Sequence, residues 1–229
     1  MPGGLTCAGV CWTILSTIAT ILIIAGFLTP EWLIGSISAN GQTVKAYFGS
    51  YKRCNYPVYD KETNKVVLLN ECGRYESFAA VPSQYWQSSI LAGAAGSSLS
   101  LLLILLLIPS MCMQDVVTHS SALIVGFFQF LACVLLVAAL MLWPMGWDNP
   151  ETRDACGEES GQFLLGRCEI GRAYIAMIFG TILLIFSSLF SVCGGRRIEK
   201  VMLPHHHRHR GQGDSYIQGF ENPRLDFAK

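Results

Sequence analysis

The stretch AGVCWTILSTIATILIIAGFL at residues 8–28 is 21 residues long and contains no Asp, Glu, Lys or Arg. Three further stretches share this character, at residues 86–108, 122–143 and 173–193. A helix needs about 20 apolar residues to cross a hydrocarbon core of roughly 30 Å, and it satisfies its own backbone hydrogen bonds there. The sequence therefore predicts a membrane protein with four helical spans.

The composition of the whole chain agrees with burial in lipid. The chain is 52% hydrophobic and 14% charged, whereas a soluble domain is about 25% charged. Its formal net charge is +0, so charge gives no reason to expect nucleic acid as a partner. We expect one four-span membrane domain at residues 1–195. A disordered cytosolic tail should follow at residues 196–229, because Gly, Pro, His and charged residues there form no apolar pattern.

Four of the nine cysteines lie in the segments that join span 1 to span 2 and span 3 to span 4, residues 29–85 and 144–172. They are Cys54 and Cys72 in the first loop, and Cys156 and Cys168 in the second. Each loop therefore holds one potential disulfide bond. Disulfides persist on the oxidising side of a membrane, so this arrangement puts both loops outside and both termini in the cytosol.

Tryptophans support this orientation, whereas the basic residues discriminate poorly. Four rings stand at the loop-side ends of the spans, where an amphipathic ring favours the membrane interface. They are Trp32, Trp86, Trp143 and Trp147. We interpret them as an aromatic belt at the outer interface. The counts of Lys and Arg are six in the first loop, three in the second and seven in the tail. The positive-inside rule therefore barely discriminates between the two possible orientations of the chain in the membrane.

The first outer loop has the pattern of a small β-sheet. Residues 32–38 and 43–53 are rich in Trp, Ile, Val, Tyr and Phe, and the ANGQ sequence at residues 39–42 is a favourable hairpin turn. Residues 66–69 offer a third strand. We expect a small extracellular antiparallel sheet, crosslinked by the disulfide of that loop. A closed ring of about 15 residues contributes about 3 kcal/mol in the chain-entropy model.

Small residues recur at every fourth position of span 2, on two adjacent stripes. They are Ser89, Gly93 and Ser97 on one stripe and Ala92, Gly96 and Ser100 on the other. Small residues let helix backbones approach closely, which favours packing within the bundle, with a partner-binding face as the alternative. Gln129 in span 3 is the most polar side chain at depth, and we expect it to form an interhelical hydrogen bond.

The spans lack the groups that membrane-embedded chemistry requires. They contain no carboxylate, Lys, Arg or His, the side chains from which proton relays and ion paths are built. The sequence also has no nucleophile–base motif, no phosphate-binding glycine loop and no zinc-ligand spacing. We expect no catalysis, no cofactor and no resident metal. The second outer loop carries six carboxylates against three arginines, which attracts a basic partner or is simply solvated.

Two cytosolic features each have more than one interpretation. Cys112 and Cys193 flank the cytosolic ends of spans 2 and 4, where thiols are either palmitoylated or remain free and reduced. The HHHRHR run at residues 205–210 could bind a transition metal, or neutralise anionic lipid together with Arg196 and Arg197. A polar tract with no role of its own is the third interpretation.

Several motifs resemble a known family of membrane proteins. Trp32, then Gly49-x-Tyr51-x-x-Cys54, then Cys72 is similar to the claudin-type pattern of Trp, Gly-x-aromatic-x-x-Cys and Cys. The segments FGSYKRCNYPV, ECGRYESF, WPMGWDNPETRDACG and GQFLLGRCEIGRAY resemble the lipoma HMGIC fusion partner-like (LHFPL) tetraspan family, and its founding member most of all. The resemblance covers about residues 5–195. Its motif positions are Trp32, Gly49, Tyr51, Gly146 and Trp147.

The resemblance implies a fold and a role. The fold is a claudin-like, left-handed, all-α four-helix membrane bundle topped by the outer antiparallel sheet. The role is that of a noncatalytic accessory or scaffolding subunit in the plasma membrane, which assembles with or traffics a channel or receptor. Its partners would be the lipid bilayer and that other integral membrane protein, and a homo-oligomer stays open. Aromatic residues of the first loop are the contact candidates, although some of them must fill the core of the small sheet. They are Tyr51, Tyr56, Tyr59 and Tyr75.

Two other functions are weighed against this one. A cell-contact or paracellular barrier protein is the main alternative, in which outer loops meet across membranes. The final Lys229 lacks the apolar C-terminus that PDZ grooves accept, which weakens a junctional scaffold role. A transporter or pore is disfavoured by the uncharged spans.

Overall fold

The computed structural model describes residues 7–39, 42–60, 65–110 and 119–194. Cys112 and the tail lie outside these residues, and so does the side chain of Cys193. The expectations about palmitoylation, tail disorder and the histidine run therefore stay predictions.

Four long helices form the bundle, and a fifth, short helix lies between the third and fourth spans. They are α1 (Cys7–Leu28), α2 (Gln84–Ser110), α3 (His119–Met145), α4 (Pro150–Cys156) and α5 (Arg172–Gly194). The four long helices are long and apolar enough to cross a membrane. Both α1 and α3 pack against α2 and α5, and large apolar side chains such as Phe127 and Leu189 face outward. The four-span prediction is confirmed.

Five strands form one antiparallel sheet outside the bundle. They are β1 (Leu33–Ala39), β2 (Gln42–Phe48), β3 (Lys52–Asp60), β4 (Lys65–Arg74) and β5 (Glu169–Ile170). Their order is β4-β3-β2-β1-β5. The predicted antiparallel sheet is confirmed, but β5 comes from the second loop and pairs with β1. The two loops therefore share one sheet, which the sequence did not predict.

The single strand predicted at residues 43–53 is wrong, because the chain turns at Gly49. The Gly49 N–H donates to the Lys52 carbonyl at 2.8 Å, which closes a tight turn between β2 and β3. A Cβ at Gly49 would lie 2.6 Å from Pro30 Cα. Only glycine allows the turn to approach the chain this closely, so the strand ends where the sheet meets the end of α1.

The sheet is anchored to the end of α1 by three contacts. Ser50 Oγ donates to the carbonyl of Phe27 at 2.9 Å, and the indole N–H of Trp32 donates to the carbonyl of Gly26 at 2.7 Å. Both bonds satisfy carbonyls of the last turn, which have no partner within the helix. The ring of Tyr51 packs against Phe27 with centroids 5.5 Å apart. The Gly-Ser-Tyr motif thus fixes the position of the sheet on the bundle.

The tryptophans at the sheet side form a buried core, so their interpretation as an interfacial belt is wrong. Trp86 and Trp143 stack with centroids 4.3 Å apart, and Trp32 meets Trp143 edge-on at 5.1 Å. None of these three, nor Trp147, is more than 4% exposed. Each large ring gains more by filling the space between sheet and helices than by lying at the lipid interface. A Cβ at Gly146 would lie 2.8 Å from Trp86 Nε1.

A polar cluster joins three helices inside the bundle. The indole N–H of Trp12 donates to Gln129 Oε1 at 3.0 Å, and Gln129 Nε2 donates to Ser16 Oγ at 2.8 Å. The hydroxyls of Ser16 and Ser187 share a hydrogen bond. This cluster links α1, α3 and α5, and the interhelical hydrogen bond expected of Gln129 is confirmed.

Of the six small residues of α2, Ser89 and Gly96 contact α3, and Gly93 lies nearest to Phe27 of α1. Ser89 Oγ donates to the carbonyl of Ala139 at 2.8 Å, and a Cβ at Gly96 would lie 2.8 Å from Leu136 Cγ. These contacts favour packing within the bundle, although Ser97 lies elsewhere, as described below.

Candidate interaction surface

Both loops, residues 29–85 and 144–172, contain a disulfide bond. One joins Cys54 to Cys72 between facing positions of β3 and β4. The other joins Cys156 at the end of α4 to Cys168, which directly precedes β5. The strands β1 to β5 together with α4 are called the cap below. Each disulfide closes one of the two segments from which the cap is built.

The helix α4, which was not predicted from the sequence, follows from local sequence signals. Asn149 is its N-cap, and the Asn149 side chain accepts the N–H of Thr152 at 3.0 Å. Pro150 occupies the first turn and Glu151 adds a negative charge there, both of which favour a helix start. The helix ends at Gly157, whose φ of 90° suits glycine. This helix carries Glu151 to the sheet.

Four side chains join the two loops and are called the latch below: Arg53, Tyr56, Tyr75 and Glu151. Arg53 on β3 forms an ion pair with Glu151 on α4, with side chains 22% and 28% exposed. The guanidinium lies 4.3 Å from the ring centre of Tyr56 and 4.8 Å from that of Tyr75. An arginine that stacks on aromatic faces keeps the N–H groups at the edge of its guanidinium free to bind a carboxylate. The latch therefore orients one loop relative to the other.

Tyr75 completes the latch as a hydrogen-bond donor. Its hydroxyl donates to Glu151 Oε2 at 3.0 Å. Desolvation raises the pKa of Tyr75 well above its ordinary value, and the negative charge of Glu151 and their hydrogen bond raise it further, against the opposing effect of Arg53. The phenol therefore keeps its proton. Glu151 receives donors from two residues of the first loop, and charge-assisted hydrogen bonds of this kind are the stronger ones.

A cleft of about 100 Å³ opens beside the latch, between the sheet and α4. Ile37 and Phe48 give it an apolar floor, and Arg53, Glu151 and Asp154 stand at its rim. Among the described residues, Asp154 has no ion-pair partner. A cavity of about 150 Å³ accommodates benzene, so this cleft suits one small apolar side chain. The unpaired charge of Asp154 at this cleft is negative.

The predicted contact residues have different surroundings. Tyr56 and Tyr75 belong to the latch, and Tyr51 packs on the end of α1. The side chain of Tyr59 lies outside the description. Arg53 and Glu151 were not predicted from the sequence, because they are 98 positions apart. The motif positions are all found where the cap meets the bundle: Trp32, Gly49, Tyr51, Gly146 and Trp147.

A bundle of four apolar helices with one disulfide-linked sheet drawn from both loops defines the chain as a claudin-like tetraspan membrane protein. The family model described as lipoma HMGIC fusion partner-like protein matches residues 8–196. The chain therefore belongs to the lipoma HMGIC fusion partner-like (LHFPL) tetraspan family.

Several relatives are similar over most of their length. The LHFPL tetraspan subfamily member 2a protein of Danio rerio is 30% identical over 200 residues, which are 81% of this chain and 86% of the relative. The member 2 protein of Homo sapiens is 28% identical over 199 residues, with the same coverage of 81% and 86%. The member 4 protein of Mus musculus is 31% identical over 193 residues, which are 83% of this chain and 73% of that protein.

Proposed function

We propose that this multi-pass membrane protein is a noncatalytic accessory or scaffolding subunit that assembles with a channel or receptor in the plasma membrane. The observation that supports this most is the latch. Because Arg53 and Glu151 hold both loops together, the cap offers a preformed surface. A preformed surface loses less conformational entropy on binding than two separate loops would.

The uncharged spans support the noncatalytic part of the proposal. Within the membrane the polar side chains are used for helix packing, as Gln129 and Ser16 show. A proton relay or ion path would need ionisable groups at these depths, and the four predicted spans carry none.

The disulfides support a cap that faces the oxidising side of the membrane, with both termini in the cytosol. Two crosslinks in one extramembrane assembly fit the extracellular or lumenal environment in which disulfides persist. The partner surface would therefore be extracellular.

The cleft is the place where the partner docks in this proposal. Binding energy concentrates where an apolar anchor fills a pocket that a polar rim shields from water. The unpaired carboxylate of Asp154 at the rim selects an anchor with a neighbouring Lys or Arg. The expected partner segment is an extracellular loop in which a small apolar residue adjoins a basic one.

Quantitative affinity purification in mild detergent tests the proposal. The partner is identified first with the unaltered chain, and its yield is then compared for Asp154→Lys and Glu159→Lys. Both residues are exposed acids of the second loop, but only Asp154 lines the cleft. We expect about a tenfold loss of partner with Asp154→Lys and no loss with Glu159→Lys. Equal yields from both variants would contradict docking at the cleft.

Other outcomes separate the remaining functions. One copurifying channel or receptor supports the accessory role. Enrichment at cell contacts without such a partner would favour the barrier protein, and ion conduction by the purified chain in liposomes would favour a pore.

A further inference from the structure

A groove lies between α1 and α2 on the outside of the bundle, with a volume of about 200 Å³. Its lining includes Phe27 and Leu28 from α1, and Ala94, Ser97, Ser98 and Leu101 from α2. Because α2 begins beside the cap and runs away from it, Ala94 lines the end of the groove nearer the cap and Leu101 the end farther from it. Seven residues of helix give it a length of about 10 Å.

Among the described residues, one buried hydroxyl in this groove has no hydrogen-bond partner. It is the Oγ of Ser97, a residue that is only 7% exposed. A buried hydroxyl without a partner loses its bonds to water and gains nothing in return. Other serines of the bundle are satisfied, for example Ser100 by the carbonyl of Ser97 and Ser89 by that of Ala139. The described residues of the groove therefore place no polar atom within hydrogen-bond reach of Ser97 Oγ.

Two cations of the sheet stand at facing positions, and neither has a counterion in the described part of the chain. Lys52 on β3 and Arg74 on β4 are directly opposite each other in the ladder. Like charges at facing positions repel and destabilise a sheet. Both nevertheless lie over the ring of Tyr51, at 5.1 Å and 5.7 Å from its centre. Neither forms an ion pair among the residues that the structure describes, so this position suits an anion.

The cation pair and the groove are connected through two aromatic rings. The ring of Tyr51, which lies beneath both cations, packs against Phe27 at 5.5 Å. Phe27 in turn lines the groove. The positive charge therefore stands at the cap-side mouth of a groove that opens to lipid.

We propose that this is a binding site for one phospholipid of the leaflet next to the cap. Its phosphate lies between Lys52 and Arg74, one acyl chain fills the groove, and an ester carbonyl accepts the hydroxyl of Ser97. A phospholipid supplies all three features in one molecule. A transmembrane helix in the groove would leave the cation pair unmatched, and a free anion would leave the groove and Ser97 unfilled.

The headgroup contact is tested by titrating phosphatidylglycerol into the full-length protein in neutral detergent and counting bound lipid by native mass spectrometry. The variant K52Q/R74Q loses both cations, and Lys45→Gln removes one exposed cation from β2 of the same sheet. We expect roughly ten- to thirty-fold weaker binding for K52Q/R74Q and unchanged binding for Lys45→Gln. The conservative variant K52R/R74K should restore binding.

The acyl contact is tested with two neighbouring alanines of α2. Ala94 lines the groove, whereas Ala95 is exposed on the helix outside it. Ala94→Leu should weaken phosphatidylglycerol binding several-fold because it fills the groove, and Ala95→Leu should leave binding unchanged. Intact disulfides and monodisperse elution confirm that each variant has folded.

Three results would overturn the proposal. If a galactolipid, which has no phosphate, binds as tightly as phosphatidylglycerol, the site does not recognise a phosphate. Equal losses of lipid affinity in K52Q/R74Q and Lys45→Gln would show that the effect comes from the overall charge of the sheet and not from a site between Lys52 and Arg74. Unchanged lipid binding by Ala94→Leu with loss of the protein partner would assign the groove to a partner helix instead.

Discussion

The two ends of the helix bundle are held together by different kinds of interaction. At the cap end, stacked rings of Trp86 and Trp143, the shared sheet and two disulfides connect the elements. Toward the other end, the hydrogen bonds of Gln129 join α3 to α1, and the hydroxyl pair of Ser16 and Ser187 joins α1 to α5. The cap end thus has covalent crosslinks and several large buried rings. The other end has one such ring, Trp12, with a small apolar cluster around it and a few polar contacts.

This difference shows which end is suited to recognition. Interhelical hydrogen bonds in a membrane contribute only about 0.6 kcal/mol on average, so the polar contacts away from the cap add little to the apolar packing around Trp12. A disulfide contributes about 3 kcal/mol and a buried ring several kcal/mol more. The cap end is therefore the part of the molecule that presents a fixed surface. Four changes test this comparison.

Loss of a disulfide should have the largest effect. Cys54→Ser or Cys72→Ser removes the crosslink between β3 and β4, at a cost of about 3 kcal/mol, and we expect retention in the endoplasmic reticulum. Surface biotinylation measures delivery. Cys11→Ser is the control, because Cys11 is an exposed free cysteine of α1. Normal delivery of both loop variants would show that the cap does not need this bond.

Overpacking beneath the sheet should have the next largest effect. Gly146→Ala forces a Cβ to 2.8 Å from Trp86 Nε1, and such strain costs about 1–3 kcal/mol. Gly161→Ala is the matched control, since its nearest neighbour would be 3.9 Å away. Thermal unfolding in detergent compares the two. An equal melting temperature for both variants would mean that the tryptophan core tolerates added volume.

Removal of the polar contact at the other end should cost less. Gln129→Leu breaks the bonds to Trp12 and Ser16, and we expect a loss of about 1 kcal/mol. Phe130→Leu is the control, because Phe130 is an exposed neighbour on the same helix. A loss as large as that of the disulfide variants would remove the contrast between the two ends.

The sequence predicted the features that depend on local pattern and composition. The four spans follow from uncharged apolar stretches, and the β1–β2 hairpin follows from the ANGQ turn. The family motifs also follow from local sequence. The prediction of a single strand at residues 43–53 was wrong, because a composition rich in β-forming residues does not reveal that the chain turns at Gly49, close to Pro30.

The remaining features depend on contacts between distant residues. Arg53 and Glu151 are 98 positions apart, and the two-residue strand β5 exists only because β1 offers it an edge. The prediction of an interfacial tryptophan belt was wrong for the same reason. The sequence shows that a ring lies at the end of a helix, but it does not show whether lipid or a sheet covers that ring. For α4 the signal was present in Asn149, Pro150 and Glu151.

The smallest expected effect belongs to the latch. Arg53→Gln, Glu151→Gln and the double variant form a thermodynamic cycle, and we expect a coupling of about 0.5–1 kcal/mol between these half-buried partners. The pair Arg153–Asp148 is the control. Its side chains are 46% and 47% exposed and lie within one segment, so its coupling should be close to zero.

This cycle, read out as the free energy of unfolding of the purified protein, is the most direct test that both loops act as one cap. The account predicts that the double variant loses less stability than the sum of the two single variants, and that the exposed control pair shows no such coupling. Strictly additive losses at Arg53 and Glu151, equal to those of the control pair, would contradict it.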